Sequence, residues 1–314
     1  MIFVISNLLS GIGQVCVKYA QLMNVKLYTF EDTIPEDEDI FVYALPIPYM
    51  LNKIDYLKQK TKKKVHCICI CETETVHPVH IELFSRFEKI IVPSKFCKDI
   101  FSKQFPETKF ELIHHWVPEP VHLLTQPIIE LNFPKDNYIF YHIGNVIDHR
   151  KQVKKIIEAF LRLNLPNSSL VLKATCVKEV TWKIPNVYII NGLLPDPYIQ
   201  SLHKQCDCYV AFSHSEGVGM GAAEAALNNK PVIITEYGGC SEYVKTPYTI
   251  SCGRTKVGVD DFLYTKDMEW GDPDFAQLQI FMKDAYEKKL SYMNHDHTRN
   301  LMANIKDEFK TFLH

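Results

Sequence analysis

Apolar residues along this chain gather in short runs, and amphipathic stretches separate many of them. MIFVISNLL, KLYTF, DIFVYAL, VHCICIC, EKIIVPS and FELIHHWV, all in the first 120 residues, have strand length and are rich in β-branched and aromatic side chains. VCVKYAQLM after the first run and KFCKDIFSKQF after EKIIVPS carry helical patterns. The alternation stops at Pro118 to Asp136, where four prolines and no helical period predict a linker. It then restarts. NYIFYHIGNV, SSLVLKATC, NVYIING, CDCYVAF and KPVIITE read as strands, and KQVKKIIEAFLRL, PYIQSLHKQ and GMGAAEAALNN read as helices. Val153, Ile156, Ile157 and Phe160 share one face of the first of these helices. Residues 274–314 read as two or three further helical segments.

Strands that alternate with helices predict parallel sheets with helices on both faces, an α/β architecture. A chain of 314 residues exceeds the size at which one core keeps growing, so two domains are expected. The predicted division is a Rossmann-like domain over 1–120, a linker over 121–136 and a second Rossmann-like domain over 137–298. A last helix, 299–314, is expected to pack back on the first domain.

Composition narrows the function classes. An apolar content of 46% and a charged content of 23% suit a globular enzyme. A net charge of −2 and an isoelectric point near 6.7 argue against broad capture of nucleic acid or of an anionic membrane. No window is apolar enough to span a bilayer, which leaves only peripheral membrane contact open. The N-terminus lacks a positive segment and a clear cleavage site, so it reads as a buried first strand rather than a signal peptide. The ten cysteines include no C-x2-C pair. Cys67, Cys69 and Cys71 alternate, so on a strand they share a face. Reduced, buried thiols in a cytoplasmic protein follow from that pattern better than a zinc site does.

Ligands of α/β sheets bind where strand ends lead into helices, and four such places carry candidate chemistry. Gly11-Ile12-Gly13 follows the first strand. It could be a tight strand–helix turn, a bare backbone open to a phosphate or sugar, or the start of a dinucleotide fingerprint with Glu31 and Asp32 nearby. A third fingerprint glycine is missing, because Cys16 stands in its place. His149-Arg150-Lys151 precedes an amphipathic helix. Cations there oppose the helix dipole unless an anion lies over the terminus, and a solvated basic turn is the plain alternative. Ser213 to Gly239 reads SHSEGVGMGAAEAALNNKPVIITEYGG. Gly217, Gly219 and Gly221 leave the backbone bare around Val218 and Met220, and a helix N-terminus can hold a phosphate. Glu216 and Glu224 flank that stretch, and a carboxylate can accept two hydrogen bonds from a vicinal diol such as ribose. The fourth place, CETETVHP, carries Glu72, Glu74 and His77 at a strand end, where a polar surface loop is an equal reading.

The order of these pieces resembles the retaining nucleotide-sugar glycosyltransferases of family 4. Glu216, seven residues and Glu224, continuing into PVI and GG, look like that family's E-x7-E pattern. IGNVIDHRKQVKKIIEAF is similar to its strand-end glycine (here Gly144), basic pair and EAF helix. EKIIVPSKFCKDIF and CETETVHP resemble its strand with a PS turn and its W-E-T loop. The compact length is similar to that of virus-encoded members. The resemblance implies a GT-B fold, two Rossmann-like domains with a parallel sheet each and a cleft between them. It also implies a metal-independent transfer of a sugar from a UDP- or GDP-sugar to a glycan, glycoprotein or other hydroxyl acceptor, with no cofactor. By position, Glu224 matches the ribose-binding Glu and Glu216 the residue on the transferred sugar. Arg150 and Lys151 match the pair that neutralises the diphosphate, and Gly11 and Gly13 the first-domain loop near the phosphates. Glu72, Glu74 and His77 would lie on the acceptor or sugar side. Asn145 stands where many members carry Arg, and Cys71 where they carry Trp. A sugar-nucleotide epimerase or phosphorylase, an inactive binding protein of the same fold and an NAD(P)-dependent oxidoreductase are the competing readings.

Overall fold

The computed structural model describes residues 1–8, 10–120, 136–176, 178–287 and 295–313. Residues 121–135 of the expected linker lie outside them. The chain divides into two units. The first comprises Met1–Trp116, Arg254–Trp270 and Met302–His314, the second Val117–Gly253 and Gly271–Leu301.

The first unit opens with strand β1 (Ile2–Ile5), helix α1 (Gly11–Met23), β2 (Leu27–Thr29) and β3 (Ile40–Tyr43). It continues with α2 (Pro48–Lys60), β4 (Val65–Ile68), α3 (Val79–Phe84), β5 (Lys89–Val92), α4 (Lys95–Gln104) and β6 (Lys109–Leu112). The six strands pair in the order β2-β1-β3-β4-β5-β6, all parallel. Residues β1, β3 and β4 are buried along their whole length, as expected for strands covered on both faces. Cys67, Cys69 and Cys71 join a single core cluster, and all ten cysteines carry free thiols. Helix α2 has no counterpart among the predicted elements. Its buried Met50, Leu51, Ile54 and Leu57 have helical spacing, and Pro48 at its start supplies the fixed φ of a first turn. Helix α1 begins at Gly11, earlier than the pattern suggests, because the Ser10 side chain caps it by accepting from the Gly13 N–H at 3.0 Å.

In the second unit follow β7 (Tyr138–Gly144), a 3₁₀ turn (His149–Lys151), α5 (Val153–Leu163), β8 (Ser168–Ala174) and β9 (Val187–Asn191). Next come α6 (Asp196–Gln205), β10 (Cys208–Ala211), α7 (Met220–Leu227), β11 (Val232–Thr235), α8 (Cys240–Tyr243) and β12 (Thr249–Ile250). The strand order is β12-β11-β10-β7-β8-β9, again parallel. The first strand, β7, therefore sits in the middle, and the chain winds outward first on one side and then on the other. The reversal lies between β7 and β10, and a crevice at the carboxyl ends of those two strands is where this topology places a ligand. Val153, Ile156, Ile157 and Phe160 of α5 are all buried, the face predicted from their spacing.

Strands β13 (Cys252–Lys256) and β14 (Glu269–Pro273) carry the chain from the second unit into the first and back. The expected boundaries leave residues 254–270 in the second domain, whereas the structure groups them with the first unit. Long-range contacts decide this. The Glu74 N–H donates to the Glu269 carbonyl at 2.8 Å, Arg254 Nε donates to Glu74 Oε1 at 2.8 Å, and the Tyr264 hydroxyl donates to Glu72. The closing helices are α9 (Phe275–Tyr286), α10 (His295–Leu301) and α11 (Ile305–Leu313). The division between the last two differs slightly from the expected residue 299. Thr298 of α10 donates to the Tyr243 carbonyl at 2.7 Å and stays with the second unit. Phe309 of α11 packs on Tyr19 and Phe41 of the first, with ring centroids 4.9 and 5.3 Å apart. Among the described residues no helix is long and apolar enough to cross a membrane.

Candidate functional site

The carboxyl end of β7 leads through Gly144 and Asn145 into the 3₁₀ turn. Asp148 starts that turn, its side chain accepting from the Arg150 N–H at 2.9 Å. Gln152 closes it in the left-handed conformation, with φ 48°, which turns the chain into α5. The carboxyl end of β10 leads into Ser213, His214, Ser215 and Glu216. The two loops are tied by the His214 N–H donating to the Arg150 carbonyl at 2.8 Å.

Glu216 sits at the centre. Arg150 Nη1 lies 3.2 Å from Glu216 Oε2 and donates to the Ser215 carbonyl at 2.5 Å. Lys151 Nζ donates to Glu216 Oε1, and Ser213 Oγ donates to the same oxygen at 2.8 Å. Arg150 Nη2 also faces Asp148 at 3.5 Å. Arg150 and Glu216 are only 8% and 7% exposed, so this charge cluster is removed from bulk water. Burial by itself would raise the Glu216 carboxyl. The Lys151 ammonium, then the Arg150 guanidinium and the hydrogen bonds, override it and hold the group down at about 2. Two cations are thus held ready by a carboxylate at the strand-order reversal.

The glycines around Glu216 have identifiable roles. Gly219 has φ 79°, and a Cβ there would lie 2.6 Å from Cys240 Sγ. It opens α7 with no side-chain cap on the first amides, which leaves them for a ligand. A Cβ on Gly221 would collide with the Tyr209 hydroxyl, which donates to the Ile143 carbonyl at 3.2 Å. The reading of the alternate glycines as bare for a ligand's sake is therefore corrected in part, since Gly219 and Gly221 are also required by packing. Gly238 and Gly239 support Glu216 from behind: the Gly239 N–H donates to the Glu216 carbonyl at 2.6 Å. Gly217 and Val218 are buried, and Met220 is half-buried.

Glu224, one helical turn into α7, is 8% exposed. His203 of α6 faces it, Nε2 3.7 Å from Oε2. Next to Gly144, the buried His142 donates its Nδ1 proton to the Val210 carbonyl at 2.8 Å. Burial, helped by the nearby Lys151 cation, pushes His142 down to about 4 and keeps it neutral. Ser213, His142 and His203 are absent from the predicted set. The lone histidines in apolar segments, YIFYHIG and PYIQSLHKQ, are the only sequence signal for two of them.

The remaining predicted residues lie in the first unit. Gly13 packs so closely that a Cβ would collide with the Asn7 carbonyl, so packing accounts for it. Gly11 faces open space. Glu72 and Glu74 fasten the 254–270 segment through Tyr264 and Arg254. His77 accepts from the Val79 N–H at 3.3 Å, at the start of α3.

Residues 128–253 match the family model described as Glycosyl transferases group 1, a stretch that falls within the second unit. No curated protein sequence matches the chain. Among solved structures, the UDP-forming α,α-trehalose-phosphate synthase of Burkholderia xenovorans is similar at 12% identity and a TM-score of 0.58, over 95% of this chain and 78% of that one. Sucrose-phosphate synthase from Thermosynechococcus elongatus is similar at 12% identity and 0.60, over 99% and 94%. A trehalose-phosphate synthase from Burkholderia xenovorans in complex with glucose-6-phosphate gives 10% identity and 0.61, over 89% and 73%. The fold of this chain is thus GT-B, two Rossmann-like units each built on a parallel six-stranded sheet.

Proposed function

We propose that the chain is a retaining glycosyltransferase that moves a sugar from a nucleoside-diphosphate sugar, a UDP- or GDP-sugar, to a hydroxyl of a glycan or glycoprotein. The observation that carries this reading is the convergence of Arg150, Lys151 and Glu216 at the carboxyl ends of β7 and β10. That crevice is where the strand order reverses, and the Glycosyl transferases group 1 match spans it. The solved neighbours described as UDP-forming favour a UDP-sugar as the first donor to test.

In this mechanism the bond from the anomeric carbon to the β-phosphate oxygen breaks, the acceptor hydroxyl oxygen bonds to that carbon and passes its proton to the departing phosphate, and negative charge grows on the nucleoside diphosphate as it leaves. Arg150, Lys151 and the uncapped amides of α7 stabilise that charge. Each preorganised donor of this kind is worth roughly 10²–10³ in rate. Fixed cations already supply the positive charge that a metal would bring, so transfer runs without added metal. The donor diphosphate takes Arg150 and Lys151 from Glu216. The released carboxylate then accepts hydrogen bonds from hydroxyls of the transferred sugar, beside Gly144 and the Gly217–Met220 backbone. Glu224 accepts from the ribose diol. We assign acceptor binding to the first unit, and the reducing cytoplasm as the compartment that keeps ten thiols free.

A panel of UDP-, GDP- and ADP-sugars, with EDTA and without added metal, tests the reading by thermal shift. A ligand at 100 times its Kd stabilises the native state by about 2.7 kcal/mol. A shift with a UDP- or GDP-sugar that survives EDTA is the expected result. A shift with none of them, or one that appears only with a divalent cation, contradicts it.

A further inference from the structure

The Glu216 carboxylate is held from two loops. Arg150 and Lys151 reach it from the loop after β7. Ser213 reaches it from its own loop, three residues earlier, with Oγ donating to Oε1 at 2.8 Å. An ionised carboxylate only accepts, so the hydroxyl proton of Ser213 is committed to Oε1. Ser213 is 0% exposed, whereas the Lys151 side chain is 16% exposed. A polyanion arriving from solvent therefore meets the cation and not this hydroxyl.

The backbone that carries both residues is fixed as well. The His214 N–H donates to the Arg150 carbonyl at 2.8 Å, the Gly271 N–H to the His214 carbonyl at 3.0 Å and the Gly239 N–H to the Glu216 carbonyl at 2.6 Å. A Cβ on Gly238 would lie 2.4 Å from that last oxygen, so the chain behind Glu216 has no slack. The remaining freedom is in the side chain, whose terminal torsion is broad and roughly two-fold when nothing restrains it.

The chemistry above draws both cations away from Glu216. Burial then opposes the charged carboxyl, and a protonated or rotated group would present a donor where a sugar hydroxyl needs an acceptor. Ser213 is the neutral partner of the carboxylate, with no charge for a diphosphate to attract, and it shares a loop with Glu216.

We propose that Ser213 is a positioning residue for sugar binding: while the diphosphate engages Arg150 and Lys151, its Oγ–H keeps the Glu216 carboxylate oriented toward the hydroxyls of the transferred sugar, and so sets how much of the donor affinity comes from the sugar. This rests on the donor reading above. A site built to hydrogen-bond a hydroxyl loses affinity for it when its own polar group is misplaced.

The test is calorimetric titration of the full chain with UDP, UDP-glucose, UDP-galactose and UDP-N-acetylglucosamine, and with GDP and GDP-mannose. The readout is the Kd of the tightest sugar nucleotide divided by the Kd of its nucleoside diphosphate. Ser213→Ala is expected to raise that ratio at least about fivefold, the loss of one good hydrogen bond, with affinity for the bare diphosphate kept within about twofold. Glu216→Ala raises the ratio too, and Ser213→Ala added to it changes the ratio no further, because the hydroxyl acts through the carboxylate. Equal weakening of both ligands in Ser213→Ala is a merely structural effect and overturns the proposal. So does an unchanged ratio, or two substitutions whose effects simply add. Should Ser213→Ala not fold, Ser213→Cys, whose thiol is a weak donor, decides by the same criterion. A wild type that binds neither UDP nor GDP overturns the donor reading itself and takes this proposal with it, whereas one that binds a diphosphate but none of the sugar nucleotides sinks only the proposal.

Discussion

Replacing Glu216 by Gln removes one charge from the centre of the cluster and almost no volume, and the structure sets the size of the effect. A carboxyl held at about 2 instead of its ordinary 4.5 is favoured in its charged form by about 3 kcal/mol, at roughly 1.4 kcal/mol for each tenfold change in proton affinity. Coulomb attraction to Arg150 alone, at 3.2 Å, would give about 5 kcal/mol at an effective dielectric of ~20. Burial of the carboxylate takes back part of that, so the lower figure is the net one. The sign follows from the direction of the shift. The folded-state value lies below the unfolded one, so the stabilisation is fully present above pH 4.5 and is lost as the pH falls through about 2. Urea unfolding of wild type and Glu216→Gln, titrated from pH 7 downward, reads this as a difference in which other titrating groups cancel. The variant should be less stable by about 3 kcal/mol at pH 7, with the gap closing between pH 4.5 and 2. A gap that stays constant across that window, or one that widens in acid, would refute the reasoning.

Lys151→Ala should lower the rate of transfer by at least ~10²-fold with the far-ultraviolet circular dichroism unchanged; a variant with full activity would remove Lys151 from the site. Gly219→Ala places a side chain at φ 79°, 2.6 Å from Cys240 Sγ. It should cost about 1–3 kcal/mol in urea unfolding and weaken nucleoside-diphosphate binding, because the amides at the start of α7 would shift. Wild-type stability in that variant would mean that the opening of α7 tolerates a Cβ.

Much of the fold is legible in the sequence because it rests on local periodicity. The Val153, Ile156, Ile157 and Phe160 face and the near-continuous apolar strands say where a helix and a sheet must bury themselves. The same signal exists for α2 in Met50, Leu51, Ile54 and Leu57, beneath a polar surface of lysines that masks it. What the sequence does not show is set by partners far along the chain. Residues 254–270 join the first unit through Glu72, Glu74 and Glu269, and no local pattern announces such a return. In the candidate site, Arg150 and Lys151 stand 66 and 65 residues before Glu216 in the sequence, yet parallel strand order brings their loops together. Ser213, Tyr141 and His203 are polar groups within apolar segments, where a single sequence does not distinguish a packed side chain from a working one. Gly13 and Gly221 carry the opposite lesson: both owe their bareness to close packing against the protein itself.

The central claim is that Arg150 and Lys151 receive a donor diphosphate at the carboxyl ends of β7 and β10. Titration calorimetry with UDP and GDP in the presence of EDTA, on the wild type and an Arg150→Ala, Lys151→Ala double variant, tests it most directly. The account predicts that one of the two nucleotides binds the wild type and that the double variant binds it at least ~100-fold more weakly, the loss of two charge-assisted contacts. No binding to the wild type, or equal binding to both proteins, would contradict it.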